Sequence, residues 1–462
     1  MPSTEDEKFA IFVHEYWHYL QNTTTPAGFD SFRLTQGLLW LFSQTMDPSA
    51  NGVSLGSPTL RDEHKELTTK TAQRRALLQG KPGPEGRLGS DEITGRVLAV
   101  QADGTITVEI EKHGHRIPGS QQFRLGSHAI DESIAHLVEG IVRRTIGIHE
   151  ERTPEFPYRV LERVVAYFCG SETEPPAVVA GLGTLLLMTD GPGHYLHRIV
   201  GAYAKHRSNG LEPFVALRAV AVSELPSIKT HVQRVGEIVD EIDKMHLRRG
   251  TSERAIAYLC AQYRRSFARR VTDPLFDIAP LLVDTLDQTA LLNHFKSLYK
   301  EFPPCDFVIE EPDESGAAVR TLVSAQPADL DEKGLDISQY LRSFQAQQEF
   351  MLAHLRSDGF CPSASVRLKC PYFETCEHPL RSADMEVCKS APWEHTRRDA
   401  PGCWFTNGVW ATLGEGDFRR VSAETDRWWS PFVTRLVPFL RRLANSLPAR
   451  VAARLGIKWP KQ

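Results

Sequence analysis

Apolar residues recur at helical spacing through most of this chain and at strand spacing in one stretch. Phe9, Phe12, Val13, Tyr16, Trp17 and Leu20 make the first stripe and predict a buried helix. The run Thr23-Thr24-Thr25-Pro26-Ala27-Gly28 breaks it. Phe32, Leu34, Leu38, Leu39, Leu41 and Phe42 then predict a second, strongly apolar helix. From 47 to 91 the composition shifts to Ser, Gly, Pro and charge, including Gly80-Lys81-Pro82-Gly83-Pro84-Glu85-Gly86. This reads as a long loop or mobile insertion whose charged middle, 61–78, is compatible with a solvated helix. Strict alternation appears next, over 93–100 and 106–111 about a turn at Ala102-Asp103-Gly104, with 116–125 available as a third strand. Helical periodicity returns from 128 to about 299, in stretches such as 228–247 and 255–271. Pro154, Pro175-Pro176, Pro192, Pro213 and Pro226 punctuate it at positions that suit helix starts. An acidic linker at 310–314 and a loop around Ala325-Gln326-Pro327 lead to one long helix over 335–355. No fixed-period repeat marks a solenoid.

The pattern predicts a mainly α chain with a small antiparallel β-sheet (α+β). Three regions follow: 1–150, carrying the insertion 47–91 and the hairpin 93–125; a helical region, 151–300; and a C-terminal region, 301–462, with a cysteine-rich module at 361–403.

Charge and cysteine content narrow the function classes. A net charge of -4 predicts no general attraction to nucleic acid or anionic membrane. The end of the chain, 434–462, holds seven Lys or Arg and no acidic residue. A docked amphipathic helix accounts for it, and a nucleic-acid or acidic-lipid contact stays open. Trp428-Trp429, Phe432 and Leu436 lead into it with apolar side chains. The polar, acidic first residues make no secretory signal, and the longest apolar run, 177–188, is too short to span a bilayer. Eight cysteines without an export signal suit reduced thiols or metal ligands, and a cytoplasmic location.

The first helix carries His14-Glu15-Tyr16-Trp17-His18, the HExxH pattern. On a helix, positions 14 and 18 share one face a turn apart. Two imidazoles at that spacing can hold one zinc ion, and Glu15 is placed to act as general base toward water. This stretch resembles the zincin metalloproteases. The metzincin extension would require Gly at 21 and a ligand at 24, where the chain has Gln21 and Thr24. The gluzincin pattern takes a glutamate from a later helix, often four residues before a polar side chain that supports a ligand histidine. The run Ser127-His128-Ala129-Ile130-Asp131-Glu132-Ser133-Ile134-Ala135-His136-Leu137-Val138-Glu139 fits. The resemblance implies Glu132 as third metal ligand and His136 as the supporting side chain, with Glu139 and Asp30 as alternative ligands. Familiar gluzincins place a β-sheet before the HExxH helix, whereas here the sheet must come from later sequence. The segment 93–125 is therefore either a solvent-exposed hairpin or a sheet whose edge binds an extended peptide. Zincins often hold the oxyanion with His or Tyr, which draws attention to His194-Tyr195-Leu196-His197, Tyr158 and Tyr167.

The C-terminal cysteines make a second candidate. Cys361-x8-Cys370-x5-Cys376-x11-Cys388 is followed by Cys403, with His378 and His395 nearby. The segment is turn-rich and poor in periodic apolar residues, so a metal would stabilise it. Cys361, Cys370, Cys376 and Cys388 suit a second structural zinc or a [4Fe–4S] cluster, independent of catalysis. Cys169, Cys260 and Cys305 are isolated and read as core thiols.

The expected function is a zinc-dependent endopeptidase acting on a specific intracellular protein or peptide. His14, His18 and Glu132 hold the catalytic Zn²⁺, and Glu15 serves as base. The alternative is a non-catalytic regulatory or interaction protein with structural zinc or an iron–sulfur cluster.

Overall fold

The first apolar stripe becomes helix α1, Glu5–Thr24, in the computed structural model of the chain. The structure describes residues 5–43, 45–49, 52–55, 62–80, 93–112, 115–149, 153–170, 174–244, 251–283, 286–303, 306–312, 318–324, 337–356, 359–376, 378–397 and 402–412. Ala10, Val13, Trp17 and Leu20 point into the core from one side of α1, at spacings of three and four. The break expected after it shrinks to one residue. Thr25 donates its hydroxyl to the Gln21 carbonyl and accepts the Gly28 N–H, so it closes α1 and caps α2, Pro26–Ser43, whose first residue is the proline.

The stretch read as loop or insertion carries more structure than expected. A short antiparallel pair, β1 (Met46–Ser49) with β2 (Gly52–Leu55), precedes α3, Asp62–Gln79. The glycine-rich segment 81–86 lies outside the described residues. The alternating segment forms a three-stranded antiparallel sheet with β4 (Thr105–Lys112) between β3 (Ile93–Val100) and β5 (His115–Arg124). Its inner face contributes Val97, Val100, Ile106, Val108 and Phe123 to the core.

Two residues after β5, α4 runs over Ser127–Ile146. Its N-cap is Gly126, where a Cβ would lie 2.2 Å from the Gly80 nitrogen. Only glycine lets the end of α3 lie against the start of α4. Helices α5 (Val160–Cys169), α6 (Pro176–Leu187), α7 (Leu196–Ser208), α8 (Pro213–Lys244), α9 (Thr251–Thr272) and α10 (Gln288–Glu301) follow. Pro176 and Pro213 open helices as expected, but Pro226 lies inside α8. Pro226 and Val222 are both exposed, so the carbonyl that loses its helical partner can reach water and the helix continues. The acidic stretch read as linker begins within a strand. Antiparallel β6 (Asp306–Pro312) and β7 (Ala318–Ser324) pair there, while 313–317 and the loop at 325–327 lie outside the described residues. Helix α11, Ile337–His354, is followed by the pair β8 (Leu355–Arg356) and β9 (Gly359–Phe360), short helices α12 (Pro379–Ala383) and α13 (Met385–Ser390), and α14, Trp404–Thr412. The basic end, 434–462, and the apolar residues just before it also lie outside the described residues.

The fold is mainly α with small antiparallel sheets. One continuous apolar core runs from Ala10 to Val409 through all three sequence regions. Among the described residues no helix is long and apolar enough to cross a membrane.

Two contacts set the position of α1. Aromatic rings fix its side toward α10, with Trp17 and Phe9 edge-on to Phe295 at 5.7 and 5.9 Å, and the Tyr16 hydroxyl donates to the Phe302 carbonyl. At its C-terminal end a fully buried ion pair holds it to α9. Arg270 donates to both oxygens of Asp277 at 2.6 and 2.8 Å, to the Thr24 hydroxyl at 2.8 Å and to the Thr24 carbonyl at 3.3 Å. Removing one partner strands a charge in the core. Asp277→Ala should therefore cost about 3–5 kcal/mol of unfolding free energy in urea titrations, whereas Lys70→Ala, at an exposed pair with Glu66, should leave the midpoint in place. Equal midpoints for the two variants would show that Arg270 does not carry this junction.

Candidate metal centre

The side of α1 that carries His14 and His18 faces α4. Their rings stand edge to face with centroids 4.8 Å apart, and the two Nε2 atoms are 3.1 Å apart. Glu132 reaches in from α4, with Oε2 3.7 Å from His14 Nε2 and 3.4 Å from His18 Nε2. Three donor atoms thus close a triangle of 3.1, 3.4 and 3.7 Å. Ligands about 2.05 Å from one tetrahedral zinc stand about 3.3–3.4 Å apart. Among the described residues, this is the one group of three His, Cys, Asp or Glu donors lying within 4.8 Å of one another.

The far side of each imidazole decides what its Nε2 can do. His14 Nδ1 is 3.0 Å from Glu139 Oε2, and His18 Nδ1 is 3.0 Å from Asp131 Oδ2. A carboxylate can only accept, so each Nδ1 carries the proton and each Nε2 turns a lone pair toward the centre. Arg143, itself buried, holds the other oxygen of Glu139 at 2.7 Å. Two lone pairs and a carboxylate converging at these distances repel unless a cation lies among them. The residues present fit a zinc ion.

Electrostatics agree. Burial by itself lowers the pKa of each imidazole, but hydrogen bonds with Glu132 and Glu139 raise His14 to about 9, and those with Asp131 and Glu132 raise His18 to about 10. Burial raises Glu132, and its bonds to both histidines outweigh this and hold its carboxyl far below the usual range. Burial pushes Asp131 up against its bond to His18, while Glu139 is drawn down by His14 and Arg143 despite burial. The site attracts positive charge strongly.

The pocket is open on one side. The side chains of His14, His18 and Glu132 keep 13, 17 and 20 % of their surface exposed. Glu15 is exposed on the next position of α1. Tyr158 stands at the rim with its ring 6.1 Å from that of His14. Burial, followed by the charges of Glu132, Glu139 and Glu15, raises its pKa and keeps its phenol protonated.

Other candidates fall elsewhere. His136 does not take the supporting role expected of it, which belongs to Asp131 and Glu139. It lies 3.2 Å from the Thr153 hydroxyl, with its ring 5.6 Å from Tyr158. Asp30 pairs with Arg33 on α2. His194 meets Arg124, His197 bonds the Val100 carbonyl, and Tyr167 stacks edge-on with Phe168. The supporting carboxylates left a faint trace in the sequence. Asp131 adjoins Glu132, and Glu139 lies two helical turns beyond it, where each can meet one imidazole.

At the other candidate, Cys370, Cys376 and Cys388 line one cavity together with Cys403. Cys361 does not line it. Its N–H donates to the His354 carbonyl at the β8–β9 turn. Cys260 is buried and Cys169 half-buried, while Cys305 lies outside the described residues.

Comparison with protein-family models, with curated proteins and with solved structures finds no match to this chain. Function is therefore argued from the centre itself. Asp131→Asn and Glu139→Gln should each weaken zinc binding about 10–100-fold, measured by competition with a chromophoric chelator. Unchanged affinity in both would mean that these carboxylates do not set the imidazole tautomers.

Proposed function

We propose that the chain is a zinc-dependent endopeptidase acting on a protein or peptide. One observation carries the reading: three donor atoms, two of them imidazole nitrogens aimed by carboxylates, converge beside an exposed glutamate that follows the first histidine. Closed structural zinc sites take four protein ligands, and this one has three and opens to solvent. That difference favours hydrolysis over a structural or regulatory role. A zinc ion held by His14, His18 and Glu132 supplies a Lewis acid with one open position.

The other residues divide the remaining work. Glu15 accepts a proton from the attacking water as its oxygen bonds to the scissile carbon, and returns it to the amide nitrogen as the C–N bond breaks. The Tyr158 hydroxyl, kept protonated, donates to the oxygen on which negative charge develops. Asp131 and Glu139 keep the imidazoles in register throughout. The edge of β5 supplies the substrate platform. Among the described residues β5 pairs only with β4, and it leads through Leu125 and Gly126 into α4, whose first residue lies about 8 Å along the helix from Glu132.

Zinc content and cleavage of a peptide library, followed by mass spectrometry, test the assignment together. Glu15→Gln should keep its zinc and lose cleavage. Tyr158→Phe should keep zinc and lower kcat about 10²–10³-fold. His14→Ala should lose zinc and remain folded. Full activity in Glu15→Gln would overturn the mechanism, and unfolding of His14→Ala would return the site to a structural role.

A further inference from the structure

The cysteine cavity lies outside the proposed hydrolytic centre and has its own chemistry. Cys370, Cys376, Cys388 and Cys403 line it with His378 and His395. Cys370 and Cys376 are each close enough to Cys388 and Cys403 for their charges to interact. Backbone bonds hold the walls in place: Cys370 N–H donates to the Cys388 carbonyl at 2.8 Å, and Leu368 N–H to the Ser390 carbonyl at 2.9 Å. Cys403 sits just before α14, which lies so close to α11 that a Cβ on Gly408 would be 2.3 Å from the Ser343 carbonyl oxygen. The fourth cysteine is thus carried in by a helix far along the chain.

Three observations distinguish what the cavity holds. First, a single zinc ion with Zn–S near 2.3 Å draws four sulfurs to about 3.8 Å of one another. No three donor atoms here lie within 4.8 Å of one another, although the cavity gathers four thiols and two imidazoles. Thiolates around a multi-iron core stand farther apart than those around one ion. Second, His378 faces inward as a donor, while His395 Nε2 lies 3.2 Å from Cys388 Sγ. His378 Nδ1 accepts the Leu380 N–H at 3.2 Å, so its Nε2 carries the proton, and that buried N–H has no acceptor. It cannot ligate a cation, but it can donate to an inorganic sulfide. Third, N–H groups already reach two of the sulfurs: His378 N–H is 3.4 Å from Cys376 Sγ, and Thr406 N–H is 3.5 Å from Cys403 Sγ. Such bonds support thiolates bound to iron–sulfur cores.

We infer that Cys370, Cys376, Cys388 and Cys403 ligate a [4Fe–4S] cluster, with His378 donating a hydrogen bond to one of its sulfides. The cluster ties the 370–376 turn, α13 and the start of α14 into one unit against α11. Its assembly takes two ferrous ions, two ferric ions and four sulfides, which balances the 2+ core without a further oxidant, and requires no residue of the α1–α4 centre.

Full-length protein prepared without oxygen and reconstituted with equal ferrous and ferric iron and with sulfide tests this. Iron, acid-labile sulfide and zinc are measured with the visible spectrum. About four irons and four sulfides per chain are expected. They should be lost in Cys403→Ser and kept in both Cys361→Ser and His14→Ala, the last of which removes only the hydrolytic zinc. Alkylation of the native protein should spare these four cysteines relative to Cys361 until a chelator strips the iron, which decides the ligand set even if Cys403→Ser fails to fold. Zinc without sulfide at the module, no metal there at all, or a cluster that survives Cys403→Ser and fails in Cys361→Ser would each overturn the assignment.

Discussion

Two imidazole nitrogens held 3.1 Å apart, with a carboxylate oxygen 3.4 and 3.7 Å away, set the terms for the whole α1–α4 interface. Neither nitrogen can turn away, because its partner across the ring is bonded to Asp131 or Glu139. A convergence of lone pairs in a half-buried site must be met by positive charge. Hydrogen bonds with Glu132 and Glu139 at His14, and with Asp131 and Glu132 at His18, outweigh burial and raise both imidazoles well above their ordinary value. A zinc ion held by His14, His18 and Glu132 would release protons as it binds.

Such an arrangement costs folding energy, and the surrounding structure supplies it. α1 is fastened along its opposite side by aromatic contacts with α10 and at its end by the Arg270–Asp277 pair, so the histidines cannot relax apart by moving the helix. α4 is buried along the side away from the centre, through Ile130, Ile134, Val138 and Val142. Arg143, near the last turn of α4, neutralises Glu139 and keeps the count of facing carboxylates from repelling itself. The helices are rigid because of their apolar faces, and the chemistry sits on the faces left over.

The sequence made part of this visible. HExxH spacing combines a helical period with metal chemistry, so His14, Glu15 and His18 stand out, and the alternation at 93–111 marks a sheet because one face of it is buried. Glu132 was reachable only through a resemblance. Glu139 enters only as an alternative ligand and Asp131 not at all, since nothing local tells a carboxylate that meets an imidazole from one that meets water. Cys361 and Cys403 illustrate the same limit. Both lie near the other cysteines in sequence, but a backbone bond beside the β8–β9 pair holds one away from the cavity and a helix brings the other in. A run of acidic residues begins inside β6, and α8 passes through Pro226 because the carbonyl it disrupts faces water.

The central claim is that His14, His18 and Glu132 bind zinc. Zinc-edge X-ray absorption on the full chain loaded with one equivalent of zinc reads the ligand set directly. The account predicts nitrogen and oxygen neighbours alone, at about 2.0–2.2 Å. Sulfur neighbours near 2.3 Å would contradict it, since they would place the ion among the cysteines and leave the α1–α4 centre without a metal.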